Sequence, residues 1–148
     1  MKYHYIGIFF NYEELHNKIK MIGNRLERRI INPHVTFMYK PDTVDESLFG
    51  EKVKIKIIAY GNNGDNEGFK VELFTSNKHL QKMVNNIPVP HITISISDTA
   101  KAVNTRCLNF VPLNNSIDIE GEFGGFIDGK VINNRENIQI IFKGRVGE

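Results

Sequence analysis

A chain of 148 residues, 41% hydrophobic and 24% charged, has the size and composition of one globular domain with its own core, and wholesale disorder is excluded. Its formal net charge of +2, with both signs scattered, is too small to hold duplex DNA or an anionic membrane surface, yet it suits a small anion in a local pocket. Cys107 is the single cysteine, so an internal disulfide and a cysteine-built metal site are both excluded.

Cys107 itself reads as a small buried hydrophobe. The N-terminal Met1-Lys2-Tyr3-His4-Tyr5 lacks the apolar core of a signal peptide, and no apolar run approaches the roughly 20 residues that span a bilayer. The expectation is a soluble, cytoplasmic protein in a reducing compartment, forming a single domain over residues 1–148.

Residues 3–10 alternate and are rich in aromatic and β-branched side chains, which predicts a first strand. Asn11 is placed to cap a helix from Tyr12 to Arg28, whose Leu15, Ile19, Ile22 and Leu26 recur at helical spacing. Asn32-Pro33 ends that segment, because a residue before proline is pushed out of the helical region. Strands follow at 34–40, 53–60 and 69–74, the last two joined by a turn-forming loop over residues 61–66. Asn77 caps a second helix over residues 78–86, with Leu80, Met83 and Val84 inward. Pro88-Val89-Pro90 stops it, and residues 91–97 form a strand. Three more strands are expected at 117–123, 125–132 and 138–142, with turns at Gly124 and at Asp128-Gly129. Phe123-Gly124-Gly125-Phe126 reads as a tight turn, with a nucleotide-covering loop as the functional alternative.

The order strand, helix, proline, His-x-Thr occurs in both halves of the chain. Each half could form one α+β lobe, and two such lobes would face each other across a cleft.

In Pro33-His34-Val35-Thr36-Phe37-Met38-Tyr39 and Pro90-His91-Ile92-Thr93-Ile94-Ser95-Ile96, residues two apart share a strand face. Strict alternation puts His34, Thr36, Met38 and Lys40 on one face, and His91, Thr93, Ser95 and Ser97 on the equivalent face of the second strand. Ile92, Ile94 and Ile96 form the apolar face opposite. The polar faces need water, a ligand or hydrogen-bonding partners. Two imidazoles and two hydroxyls converging in a cleft suit phosphoryl chemistry. A neutral imidazole takes a proton from the attacking oxygen, and a protonated one gives a proton to the leaving oxygen. Thr hydroxyls donate to non-bridging phosphate oxygens. Neither a His-Glu-x-x-His run nor grouped carboxylates near the histidines suggests a metal, so no metal and no cofactor are expected.

The paired motifs His34-Val35-Thr36 and His91-Ile92-Thr93 resemble those of the 2H phosphoesterase superfamily. That group includes LigT-type RNA phosphodiesterases, the cyclic phosphodiesterase domains of tRNA ligases, and viral enzymes that destroy oligonucleotide signals. The resemblance spans most of the chain and implies a bilobal α+β fold of two mostly antiparallel sheets, with flanking helices around a central cleft. It also implies acid/base roles for His34 and His91 and phosphate-binding roles for Thr36 and Thr93. The implied partner is a small nucleotide or oligonucleotide, such as a cyclic oligonucleotide signal, a 2′,3′-cyclic phosphate or a 2′–5′ linkage. Water or a substrate 2′-hydroxyl would be the nucleophile. Residues 101–104 loosely resemble a stretch of tRNA-ligase-type and phage anti-defence members. The lack of an attached ligase or kinase domain argues against a full tRNA-repair enzyme. An RNA-end phosphodiesterase and a non-catalytic nucleotide-binding module stay open as alternatives, and no oligomeric state is implied.

Lys40, at the end of the His34 strand, is a phosphate-neutralising cation or an ordinary solvated lysine. Tyr12 and Tyr39 are candidate base contacts or packing residues. Tyr3, Tyr5, Gly7 and Phe9 share a face that could stack a base or simply pack. His4, His16 and His79 have no Thr two residues on and read as surface or structural histidines.

Overall fold

A computed structural model describes residues 2–133. In chain order these form β1 (Tyr5–Phe9), α1 (Tyr12–Ile19), β2 (Arg28–Arg29), β3 (His34–Tyr39), β4 (Lys52–Asn62) and β5 (Asn66–Phe74). They continue with α2 (Lys78–Asn85), β6 (His91–Ile96), β7 (Val111–Ile127) and β8 (Lys130–Ile132), with 3₁₀ turns at Glu46–Leu48 and Ala102–Cys107. The fold is α+β, and the pairings among the described residues are antiparallel. The expected strand at 138–142 lies outside the described residues.

The strands join in the order β2-β6-β5-β4-β7-β1-β3, with β8 on β7, in one eight-stranded path rather than two separate sheets. The join is the long β4–β7 ladder, running from Lys52 opposite Glu122 to Tyr60 opposite Val111. Lys52, Lys54 and Lys56 point outward there against Glu122, Glu120 and Asp118, so each outward pair is of opposite charge. Val53, Ile55 and Ile57 alternate into the core. Outward from this seam the order is symmetrical as far as the two His-x-Thr strands, with β5 then β6 on one side and β1 then β3 on the other, and the short β2 is added beyond β6 alone. β3 and β6, far apart along the path, come into contact, so the curled sheet brings its two His-x-Thr strands together.

The core gathers Ile8, Val35, Ile55, Ile57, Phe69, Ile92, Ile94 and Phe123 from the sheet with Leu15, Ile19, Leu80 and Val84 from the helices. Each such side chain contributes about 1.5–3 kcal/mol by leaving water. Both helices begin as expected: Asn11 Oδ1 accepts from the Glu14 amide and Asn77 Oδ1 from the Leu80 amide, each at 2.9 Å.

α1 stops at Ile19 instead of reaching Arg28. Gly23 adopts φ +65°, and the Tyr60 hydroxyl fills the space where a Cβ would lie. The Arg25 guanidinium then turns back to donate to the carbonyls of Ile19 and Ile22. Arg28 and Arg29 leave the helix altogether and pair with Ile96 and Ser95 of β6. Long-range contacts to β4, β5 and β6 therefore override a helical spacing that continued by coincidence through Ile22 and Leu26.

The expected turn at Gly124 is likewise absent, because β7 runs unbroken through it. These glycines serve close approach: a Cβ on Gly125 would meet the Tyr3 ring, and one on Gly124 the Ile132 carbonyl, at 2.4 and 2.5 Å. The turn at Asp128-Gly129 is present, with both residues at positive φ between β7 and β8. Cys107 is exposed rather than buried, since the 3₁₀ segment turns Thr105 inward instead.

Candidate active site

The two His-x-Thr motifs are copies of one local structure. In the first, Phe9, Ile8 and Gly7 of β1 stand opposite His34, Val35 and Thr36 of β3. In the second, Lys70, Phe69 and Gly68 of β5 stand opposite His91, Ile92 and Thr93 of β6. Each threonine thus faces a glycine. A Cβ on Gly7 would lie 2.2 Å from the Val35 carbonyl oxygen, and one on Gly68 would lie 2.5 Å from that of Ile92. Immediately after each threonine the ladder slips by one residue, leaving Phe37 and Ile94 as the extra residues of two β-bulges.

These bulges correct the expected faces. Past Phe37, Met38 pairs with Ile6 and Tyr39 with Tyr5, so Tyr39, not Met38, joins the side of His34. Past Ile94, Ser95 pairs with Glu67 and leaves the side of His91. Strict alternation cannot survive an inserted residue. Lys40 lies beyond the end of β3 at φ +46°, its amide donating to the His4 carbonyl, so strand alternation no longer fixes its face. Tyr12 sits at the start of α1 with its ring 4.2 Å from that of His16.

Both imidazoles are held the same way. Nδ1 of His34 lies 2.7 Å from the Asn32 carbonyl oxygen, and Nδ1 of His91 lies 2.7 Å from that of Val89. A carbonyl only accepts, so each Nδ1 carries the proton and each neutral ring presents Nε2 as its free lone pair. Burial holds both imidazoles below the ordinary histidine range, against the raising effect of those carbonyls. His91 depresses His34 further and Arg106 depresses His91, so charge on one side of the site is felt on the other. Repulsion of this kind disfavours the state in which both rings are charged at once.

The threonines differ. The Thr36 hydroxyl is half-buried and makes no hydrogen bond among the described residues. Thr93 is buried, 2.9 Å from the Thr105 hydroxyl and 3.3 Å from the Ala102 carbonyl, and Asn66 Nδ2 also donates to Thr105.

Around His34 lies an aromatic array. The Tyr5 ring stacks on the imidazole with centroids 4.5 Å apart and also lies against Phe9, Tyr39 and Phe126. Burial pushes the Tyr5 phenol up to about 12, so it stays neutral. Behind β6, Glu67 is fully buried and accepts from Tyr60 at 2.6 Å and Ser95 at 2.8 Å. Arg25 pairs with it at 3.3 Å, and Ser95 Oγ accepts from the Leu26 amide. This network fixes the strand that carries His91 and Thr93. Two surface concavities, of about 520 and 560 Å³, are lined by other residues; the first touches the site only through Phe9, Asn32 and Pro33.

Sequence reasoning missed Gly68, Glu67, Asn66, Thr105, Lys70 and Arg106. Glycine within a strand pattern was the one available signal, since it marks bulges and close backbone approach. Among the described residues no three His, Cys, Asp or Glu side chains are grouped to hold a metal ion, and no helix is long and apolar enough to cross a membrane. No protein-family model matches the chain, and no curated protein matches it.

Proposed function

We propose that this protein is a metal-independent phosphodiesterase of the two-histidine kind, acting on nucleotide phosphodiesters as the resemblance to 2H phosphoesterases implies. The observation that carries the reading is the equivalent pose of His34 and His91, each with Nδ1–H on a backbone carbonyl and Nε2 free. On this reading the symmetrical halves beside the β4–β7 seam are the two lobes, and the contact of β3 with β6 forms the floor of the cleft between them.

Proton traffic passes through Nε2 alone, because Nδ1–H is engaged. The neutral imidazole removes a proton from the attacking water or ribose 2′-hydroxyl, and the protonated one delivers a proton to the leaving oxygen. The free Thr36 hydroxyl donates to a non-bridging oxygen as charge builds on it. Substrates in reach of this chemistry are cyclic oligonucleotide signals, 2′,3′-cyclic phosphates and 2′–5′ linkages. Degradation of a host signalling nucleotide by a viral enzyme is the biological setting the resemblance suggests.

The test is turnover of cyclic dinucleotides, cyclic trinucleotides, 2′,3′-cyclic nucleotides and 2′–5′ oligoadenylate in excess EDTA. His34→Ala and His91→Ala should each lower kcat by at least ~10²-fold. Activity that vanishes with chelator, or that survives both substitutions, overturns the reading. Tight binding of a panel member without turnover favours a binding module instead.

A further inference from the structure

The two flanks of the imidazole pair carry unlike chemistry. Beside His34, cross-strand pairing sets Tyr5 next to Tyr39 and Phe126, and Tyr39 is 66% exposed. Beside His91, Lys70 is the direct cross-strand partner, and directly paired residues point to the same side of a sheet. Arg106 follows Thr105 in the 3₁₀ segment, which packs on β6 and is tied to it by the Thr93–Thr105 hydrogen bond. Lys70 and Arg106 are exposed, and neither makes an ion pair among the described residues.

A phosphodiester carries one negative charge, which the one protonated imidazole required for acid catalysis already balances. Two further cations at His91 are then in excess, and Arg106 opposes the protonated imidazole that acid catalysis needs. A second anion on Lys70 and Arg106 removes that opposition.

We propose that the cleft binds its ligand in one direction, with a base against the Tyr5–Tyr39 side next to His34 and a second, non-scissile phosphate on Lys70 and Arg106 next to His91. The ligand class is therefore a nucleotide, single or within an oligonucleotide, that carries a second phosphate besides the scissile one. This rests on the phosphodiesterase reading for its chemistry, although the binding polarity is testable without turnover.

The full chain is titrated calorimetrically with adenosine 5′-monophosphate and with adenosine 2′,5′- and 3′,5′-bisphosphate. At least one bisphosphate should bind ten-fold or more tightly than the monophosphate. The double variant Lys70→Gln/Arg106→Gln, with both positions exposed and its thermal midpoint checked, should erase that advantage, bringing the bisphosphates to the monophosphate affinity measured on the same variant. Tyr39→Ala should weaken monophosphate and bisphosphates by the same factor. Equal affinities, or an advantage that survives the double variant, overturn the proposal. A bisphosphate preference in a protein that turns over none of the phosphodiester panel upholds it while removing the catalytic reading. Turnover without that preference does the reverse.

Discussion

Gly68 lies directly across the β5–β6 ladder from Thr93, so close to the neighbouring strand that a single added methyl would strike the Ile92 carbonyl and the Thr105 side chain, at 2.5 and 2.4 Å. The obstruction is partly backbone and cannot rotate away. Gly68→Ala should therefore push β5 and β6 apart and lower stability by about 1–3 kcal/mol, the usual range for an overpacked site. Gly7→Ala makes the equivalent intrusion on the Val35 carbonyl and should cost a similar amount. Urea denaturation of both variants checks this. A neutral Gly68→Ala would mean that the bulge after Thr93 does not require a bare backbone opposite it.

The stack of Tyr5 on His34 buries the imidazole, and burial is the first cause of its lowered pKa. Replacing the ring by a smaller side chain readmits water. Tyr5→Ala should raise the His34 pKa toward the ordinary value of about 6.5 and leave His91 close to where it was. Titration of the histidine ring protons by NMR reads both groups at once. An unmoved His34 would assign its depression to something other than this aromatic cover.

His16, His34 and His91 are all lowered, each first by burial. The unfolded chain therefore binds protons at a higher pH than the folded one. Their contribution to stability is complete above about pH 6.5, the ordinary histidine value, and is lost as pH falls below it. Urea midpoints at pH 7.5, 6.5 and 5.5 should decline on the acid side. The decline should be shallower in a His16→Gln/His34→Gln/His91→Gln variant. A flat profile from pH 7.5 to 5.5 would contradict the assignment.

Glu67 shows what local sequence could and could not reveal. Its burial depends on Arg25, Tyr60 and Ser95, which meet only after β4, β5, β6 and the α1–β2 connection have assembled. A glutamate in an exposed-looking Asn-Glu-Gly turn gives no local sign of this. His34, Thr36, His91 and Thr93 were legible because two-residue alternation over three positions needs no tertiary information. The faces beyond each threonine were not, because Phe37 and Ile94 are ordinary strand residues whose insertion is visible only against a partner strand. The helix caps Asn11 and Asn77 were local and legible, while the early end of α1 depends on Tyr60 and Glu67, some forty residues away. Truncating this carboxylate strands a buried guanidinium. Glu67→Ala should cost about 3–5 kcal/mol, as breaking one partner of a buried pair does. A loss under about 1 kcal/mol in urea denaturation would mean that Arg25 finds water or another partner.

The two threonines occupy equivalent positions yet hold their hydroxyls differently. Thr93 is engaged by Thr105 and Ala102, whereas Thr36 makes no hydrogen bond among the described residues. Valine is close to isosteric with threonine, so substitution tests the hydroxyl alone. Thr93→Val takes one of two hydrogen-bond partners from the fully buried Thr105 hydroxyl, which keeps Asn66, and should cost about 0.5–1.5 kcal/mol. Thr36→Val removes nothing from the folded protein and should leave the urea midpoint unchanged. If Thr36 donates to the phosphate, the same change should lower kcat by ~10²-fold on any nucleotide the panel shows to be turned over, the scale for losing one preorganised donor. The pair of measurements separates the roles, because a purely structural threonine would move stability and not kcat. Equal stability losses at the two positions, or an unchanged kcat in Thr36→Val, would remove the distinction between a held hydroxyl and a free one.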